Sequence, residues 1–124
     1  MLNNFKFYRK LRLVSKKDFD SVKKNSKKSQ DKFFIINFKK NNLAFSRLGV
    51  IISKKSVPRA VDRNKLHRCV REWFRLNHSS FPGFDIVIIA RHKAVYLSSK
   101  KLILCLDKLV QYLLKRCKSS LLEV

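Results

Sequence analysis

Arg63, Lys65, Arg68, Arg71 and Arg75 stand in one run, AVDRNKLHRCVREWFRLN, from Ala60 to Asn77, answered only by Asp62 and Glu72. A guanidinium is a planar, permanently charged fork that grips phosphate through paired hydrogen bonds and stacks on bases. At about 100° per residue, Asn64, Arg68, Arg71 and Arg75 share one side of a helix, while Leu66, Cys69, Val70 and Trp73 share the other. A solvated helix face normally mixes signs, because like charges a turn apart repel. Same-sign neighbours with one acid nearby therefore point to a bound polyanion, along a face about 16 Å long at about 1.5 Å per residue.

Residues able to cut a phosphodiester are a different matter. A self-sufficient ribonuclease wants paired histidines, or carboxylates clustered around two metal ions. His67, His78 and His92 fall in three separate elements, and the eight acids are scattered. With two glycines there is no Gly-rich phosphate loop. No catalytic side chain and no directly bound metal are expected. Cys69, Cys105 and Cys117 form no CxxC pair, which argues against a disulfide framework and a zinc site. Cys69 and Cys105 read as small buried hydrophobes in a reduced, cytoplasmic protein.

The whole chain of 124 residues carries 30 Lys and Arg against 8 Asp and Glu, a formal net charge of +22. Such a domain repels itself until it meets a polyanion, nucleic acid by default and an anionic membrane surface as the competitor. A membrane-binding helix would need a free apolar face, and here that face carries Trp73 and is needed for the core. The longest wholly apolar runs, IVIIA and LILCL, are too short to span a bilayer, and MLNNFKFYRKLRLV lacks the apolar stretch of a secretory signal. Lysine pairs such as Lys27–Lys28 and Lys100–Lys101 read as diffuse attraction only.

The elements that must position the arginines follow from pattern. Residues 1–14 read as a basic leader. Ser15 and Asp18 make a capping box, with Val14 and Phe19 at the staple positions, for a helix from Lys16 to about Lys24. NSKKSQDK reads as a loop. Lys32–Lys40 reads as a strand with Phe34, Ile36 and Phe38 on one side and Phe33 and Ile35 on the other, so its second apolar face is either covered by a helix or left as a groove for something flat. LGVIIS and FDIVIIA are two more strands. Pro58 opens the basic helix, which HSSFPG closes. Ser98–Ser99 cap a last helix with Leu102, Leu106, Leu109 and Leu113 as its apolar stripe, and 118–124 is a tail.

The segment SRLGVIISKKSVPRAVDRNKLHRCVREWFR resembles the signature of the bacterial ribonuclease P protein subunit: a strand ending in Lys-Lys, a turn, Ala-Val, then an Arg-Asn-Arg core. Lys54, Lys55, Ala60, Val61, Arg63, Asn64, Lys65, His67, Arg68, Arg71 and Glu72 match, with Lys65 standing for the usual third-position Arg and His67 for the usual Lys. LRLVSKKDF and FDIVIIAR extend the likeness. It implies one α+β domain, a two-layer α/β sandwich of about four mixed strands with helices on one side. That fold would be similar to the second domain of a small-subunit ribosomal protein and would contain a left-handed strand–helix–strand crossover. It further implies a subunit of an RNA-based endonuclease, bound 1:1 to ribonuclease P RNA, which with RNA-held Mg²⁺ removes the 5′ leader of precursor tRNA. Lys54, Lys55, Arg59, Arg63, Asn64, Lys65, Arg68, Arg71 and Arg75 would meet the RNA, Asn64 near its metal. Phe19, Phe34 and Ile36 would line the leader cleft, between the sheet and the N-terminal helix. A structural RNA-binding protein of ribosomal type, without a role in cleavage, is the alternative.

Overall fold

The computed structural model describes residues 12–13, 19–22 and 26–122, with side chains as far as Arg116. Four strands, β1 (Lys27–Gln30), β2 (Phe34–Lys40), β3 (Arg47–Ile51) and β4 (Phe84–Ala90), form one sheet in the order β1-β2-β4-β3. β2 runs antiparallel to both β1 and β4, and β3 runs parallel to β4. Parallel neighbours cannot be joined by a tight turn, so the chain between them crosses over through the basic helix α1 (Ala60–Asn77). The last helix, α2 (Ser99–Leu122), follows a short 3₁₀ segment at His92–Tyr96.

The two-residue alternation of strands sorts the sheet into two faces. Phe34, Ile36 and Phe38 of β2 oppose Ala90, Ile88 and Ile86 of β4, and Leu48 of β3 pairs with Ile86. All seven are buried in one core with Leu66, Val70, Trp73 and Phe74 of α1 and Leu102, Leu106, Leu109 and Leu113 of α2. Both helices therefore cover this face. The other face carries Ile35, Asn37 and Lys39 of β2, Gly49 and Ile51 of β3, and Val87 and Ile89 of β4. Its β3–β4 half is packed by Leu13 and by the short helical stretch at residues 19–22, through Phe19 and Val22.

The fourth strand is the segment expected to be a loop. KKSQ has no apolar residue, but β1 is an edge strand paired only with β2, and only Ser29 of it is buried. Lysines on an edge strand suit the sheet by discouraging a further chain from pairing there. Asp31 closes the β1–β2 turn, its Oδ1 accepting from the backbone N–H of Phe33 (2.7 Å) and Phe34 (2.8 Å). At the far end of the sheet, buried Asp85 is held by Arg47 (Nε–Oδ1 2.8 Å, Nη2–Oδ2 2.6 Å) and by Asn41 Nδ2 (2.9 Å), so its charge is fully answered. Helix α1 begins at Ala60 rather than Pro58, because Pro58 and Arg59 stay outside it, Arg59 extended as the N-cap. Ser98 Oγ accepts the backbone N–H of Lys101 (3.3 Å), as expected of a cap on α2. Ser15, Asp18 and Val14 lie outside the described residues.

Candidate nucleic-acid interface

Helix α1 is locked in place from its inner face. Leu66, Cys69, Val70, Trp73 and Phe74 are buried, and the Trp73 ring packs against Phe81 at 5.8 Å between centroids. The Trp73 indole N–H donates to Asp107 Oδ1 of α2 at 2.7 Å. Lys65 Nζ donates to the Leu97 carbonyl at 3.0 Å, and Cys69 Sγ lies 3.7 Å from the Ser99 carbonyl. Three contacts down the helix thus fix its rotation, and that rotation decides which cations face outward.

The nine positions expected to meet RNA divide by what holds them. Arg68 and Arg71 are exposed, one turn apart, and make no hydrogen bond or ion pair among the described residues; Asn64, also exposed, precedes them on the same face. Lys54 and Lys55 stand exposed in the turn that leads towards α1. Arg59 is 76% exposed and only loosely paired with Asp62 at 3.9 Å. The remaining three are engaged. The Arg63 guanidinium donates to the carbonyls of Val57 (3.0 Å) and Pro58 (2.7 Å), and so braces the entry to its own helix. Lys65 is committed to Leu97. Arg75 is forked onto the Glu72 carboxylate (Nε–Oε2 3.0 Å), which holds that carboxyl below its ordinary range. The uniform arginine stripe read from spacing therefore ends at Arg71, because Glu72 and Arg75, three residues apart, pair with each other.

Asn64, Arg68 and Arg71 form a shallow basin of about 430 Å³ with Val61 and His67. His67 Nδ1 is buried without a hydrogen-bond partner among the described residues, and burial, then the Arg71 and Arg63 charges, pull its pKa below the ordinary histidine value. Burial and the two neighbouring guanidinium groups thus all disfavour the protonated imidazole. His78 is pulled the same way by burial, stacked on Phe74 at 5.3 Å between centroids.

Of the three residues expected to line the leader cleft, only Phe19 lies on the face away from α1 and α2. Its ring rests directly over Gly49, where a built Cβ would sit 2.5 Å from Phe19 Cε1. Phe34 and Ile36 are fully buried beneath the helices and present nothing to a ligand. The cause is a slip of one strand position: alternation makes Ile35, Asn37 and Lys39 the residues on Phe19's face. Lys39 Nζ donates to Ser21 Oγ at 2.9 Å and bridges the two walls.

Sequence reasoning also missed a basic surface beyond the end of β4. Gln30, Asp31, Lys32, Arg91, His92 and Lys93 line a groove of about 600 Å³. His92 Nδ1 lies 2.9 Å from the Ser56 carbonyl, which ties the groove to the Lys54–Lys55 turn, and Tyr96, 74% exposed, reaches His92 Nε2 with its hydroxyl at 3.2 Å. The signal available was RHK next to a strand end; nothing in sequence shows that it meets the Lys-Lys turn.

Known proteins carry the same pattern. The ribonuclease P family model matches residues 7–114. The chain belongs to the ribonuclease P protein family. The ribonuclease P protein component of Pseudoalteromonas atlantica is 38% identical over 114 residues, covering 92% of this chain and 95% of that one. That of Thermotoga maritima is 46% identical over 88 residues, covering 70% and 74%. Among solved structures, the Staphylococcus aureus RNase P protein superposes with a TM-score of 0.73 at 28% identity, over 87% of this chain and 95% of that one. The Thermotoga maritima RNase P protein gives 0.69 at 37%, over 82% and 94%. The chain is thus a subunit of the tRNA-processing ribonuclease P holoenzyme, and the mixed four-strand α+β sheet is the family's fold. Among the described residues no helix is long and apolar enough to cross a membrane.

Proposed function

We propose that this subunit works in the cytoplasm, one copy per ribonuclease P RNA, and that it carries no catalytic group itself. Asn64, Arg68 and Arg71, with Lys54, Lys55 and Arg59, contact the phosphates of the catalytic RNA; Arg63 and Lys65 serve that surface by holding α1 in place. The observation that carries this reading is the pair Arg68 and Arg71, exposed side by side with no acid paired to them among the described residues. A folded protein tolerates that repulsion most readily where phosphate relieves it. Among the described residues no group of three His, Cys, Asp or Glu comes together to hold a cation. In this reading the Mg²⁺ that cleavage needs is held by the RNA, with Asn64 near it.

The 5′ leader of precursor tRNA lies on the sheet face away from α1 and α2, along Phe19, Ile35 and Lys39, with the buried Asn37 beneath them in the floor. This arrangement sets an aromatic ring and a lysine beside a partly apolar floor, the composition that suits unpaired bases on a charged track.

Reconstitution tests both statements. The purified protein, a bacterial ribonuclease P RNA and a 5′-extended precursor tRNA are mixed at low Mg²⁺, and cleavage is followed. Mature 5′ ends that need both components, with a dependence on leader length that Phe19→Ala removes, support the reading. Protein that binds the RNA but never aids cleavage leaves only a structural RNA-binding role.

A further inference from the structure

Helix α2 turns a second set of cations away from the core. Lys101, Leu104, Lys108, Tyr112 and Lys115 recur at spacings of three, four, four and three residues, and all five are exposed, Leu104 and Tyr112 to 55% each. They lie within one narrow arc opposite the buried stripe of Leu102, Leu106, Leu109 and Leu113. Over the fourteen steps from Lys101 to Lys115 the row is about 21 Å long at about 1.5 Å per residue.

Two observations separate this row from an ordinary solvated face. The only acid in the α2 sequence is Asp107, and its carboxylate is turned to α1, taking the Trp73 indole N–H at 2.7 Å. The helix itself therefore supplies no acid to its outer face. The row also keeps a leucine and a tyrosine in water among its lysines. The Tyr112 ring is steadied by the Arg116 guanidinium, 5.7 Å from its centroid. Arg116 Nη1 donates in turn to the Lys28 carbonyl (3.4 Å), and Lys27 Nζ to the Arg116 carbonyl (3.4 Å). This joins α2 to the β1 edge. A flat ring with one face supported, inside a track of one charge sign, is the arrangement that takes a stacked base and its flanking phosphates.

We infer that the outer face of α2, from Lys101 to Lys115 with Tyr112 as a stacking platform, is a second RNA-binding surface, distinct from the α1 basin and suited to an unpaired strand. Charge complementarity selects a polyanion. The exposed aromatic selects single-stranded RNA over duplex, whose base faces are already stacked. The inference does not depend on the leader groove or on cleavage; it extends the RNA-binding role to a helix left unassigned by it.

The test uses the full chain, a fluorescent oligouridylate and its blunt duplex counterpart, and fluorescence anisotropy across a salt series. The variant Arg68→Ala/Arg71→Ala removes the first surface. It should still bind the oligouridylate, with a logarithmic salt slope of about −2 from three lysine contacts. Adding Lys101→Ala, Lys108→Ala and Lys115→Ala should flatten that slope. Tyr112→Ala alone should weaken binding about tenfold, the effect of one lost stack, while Tyr112→Phe should not. The circular-dichroism spectrum of the lysine variant should match that of the unmodified chain, because all three side chains are exposed. The inference is overturned if the α1 variant no longer binds oligouridylate, if the α2 changes leave binding untouched, or if duplex binds equally well. Loss of binding to phosphatidylglycerol vesicles without loss of RNA binding overturns it too, and gives the face to a membrane. Reconstituted cleavage that survives while the α2 changes do nothing sinks this inference alone; intact α2 binding without cleavage sinks only the processing role.

Discussion

Replacing Arg68 and Arg71 by alanine separates binding from folding at the α1 surface. Neither side chain makes a hydrogen bond or ion pair among the described residues, and both are exposed. Alanine is at least as good a helix former, and the change also relieves repulsion between residues a turn apart. Folding stability should therefore move by no more than about 0.5 kcal/mol. Binding should move far more. Each lost phosphate contact lowers the logarithmic salt slope by about 0.7 on single strands and about 0.9 on duplex, so the pair lowers it by about 1.4 to 1.8. At about 1.5 kcal/mol for each charge-assisted hydrogen bond, the low end of its range, the loss is about 3 kcal/mol, or two orders of magnitude in Kd. Arg63→Ala and Lys65→Ala make the contrast. They leave the carbonyls of Val57, Pro58 and Leu97 without their donors. Each should cost about 1 to 2 kcal/mol of stability, several degrees in Tm, with the smaller effect on the salt slope. Thermal melts by circular dichroism and anisotropy titrations with ribonuclease P RNA measure both axes. An unchanged salt slope in the Arg68/Arg71 variant, or a melt lowered by several degrees, would refute the division into contacting and bracing cations.

Gly49→Ala should push the Phe19 ring off the sheet, since the new Cβ would sit 2.5 Å from Cε1 and 2.7 Å from Cζ. The cost should be about 1 to 3 kcal/mol, and reconstituted cleavage should lose its dependence on leader length while RNA affinity holds; a variant as stable and leader-sensitive as the original would show that the ring does not need its seat. Asp107→Ala leaves a buried indole N–H unsatisfied and should destabilise by about 1 to 3 kcal/mol with a changed near-ultraviolet spectrum, whereas Asp107→Asn, still an acceptor, should recover most of the loss. The histidines set a pH dependence. His67 and His78 both titrate below their unfolded value in the folded chain, so the unfolded chain binds more protons, and stability should be full above about pH 6.5 and fall as pH drops below it. Urea unfolding at successive pH values should show the fall, and His67→Gln with His78→Gln should flatten it; a stability that rises on acidification would contradict the lowered pKa of both half-buried rings.

The sequence was most legible where one physical rule acted alone. The apolar stripes of α1 and α2 follow directly from periodicity and the strand FDIVIIA from its unbroken apolar run, and each lies where that pattern puts it. β1 was illegible because nothing in KKSQ is apolar; its strand character comes from pairing with β2, a tertiary fact. The sheet face of Phe34 and Ile36 was misjudged because Lys32–Lys40 is apolar on both sides, and a strand so composed does not say which side the helices will take. Among the cations, spacing alone made Arg68, Arg71 and Arg75 equivalent. The structure separates them by what pairs with each: no acid among the described residues for the first two, a carboxylate three residues away for the third. Arg63 shows the limit from the other direction. Its place in the Arg-Asn-Lys run marks it as an RNA contact, yet its guanidinium spans the two carbonyls that start the helix. A residue that fixes where α1 begins also fixes the rotation of every arginine after it. A strong family signature over that run is thus expected for two unlike reasons, contact at Arg68 and Arg71 and geometry at Arg63 and Lys65, and only a measurement that reads stability and salt dependence together tells them apart.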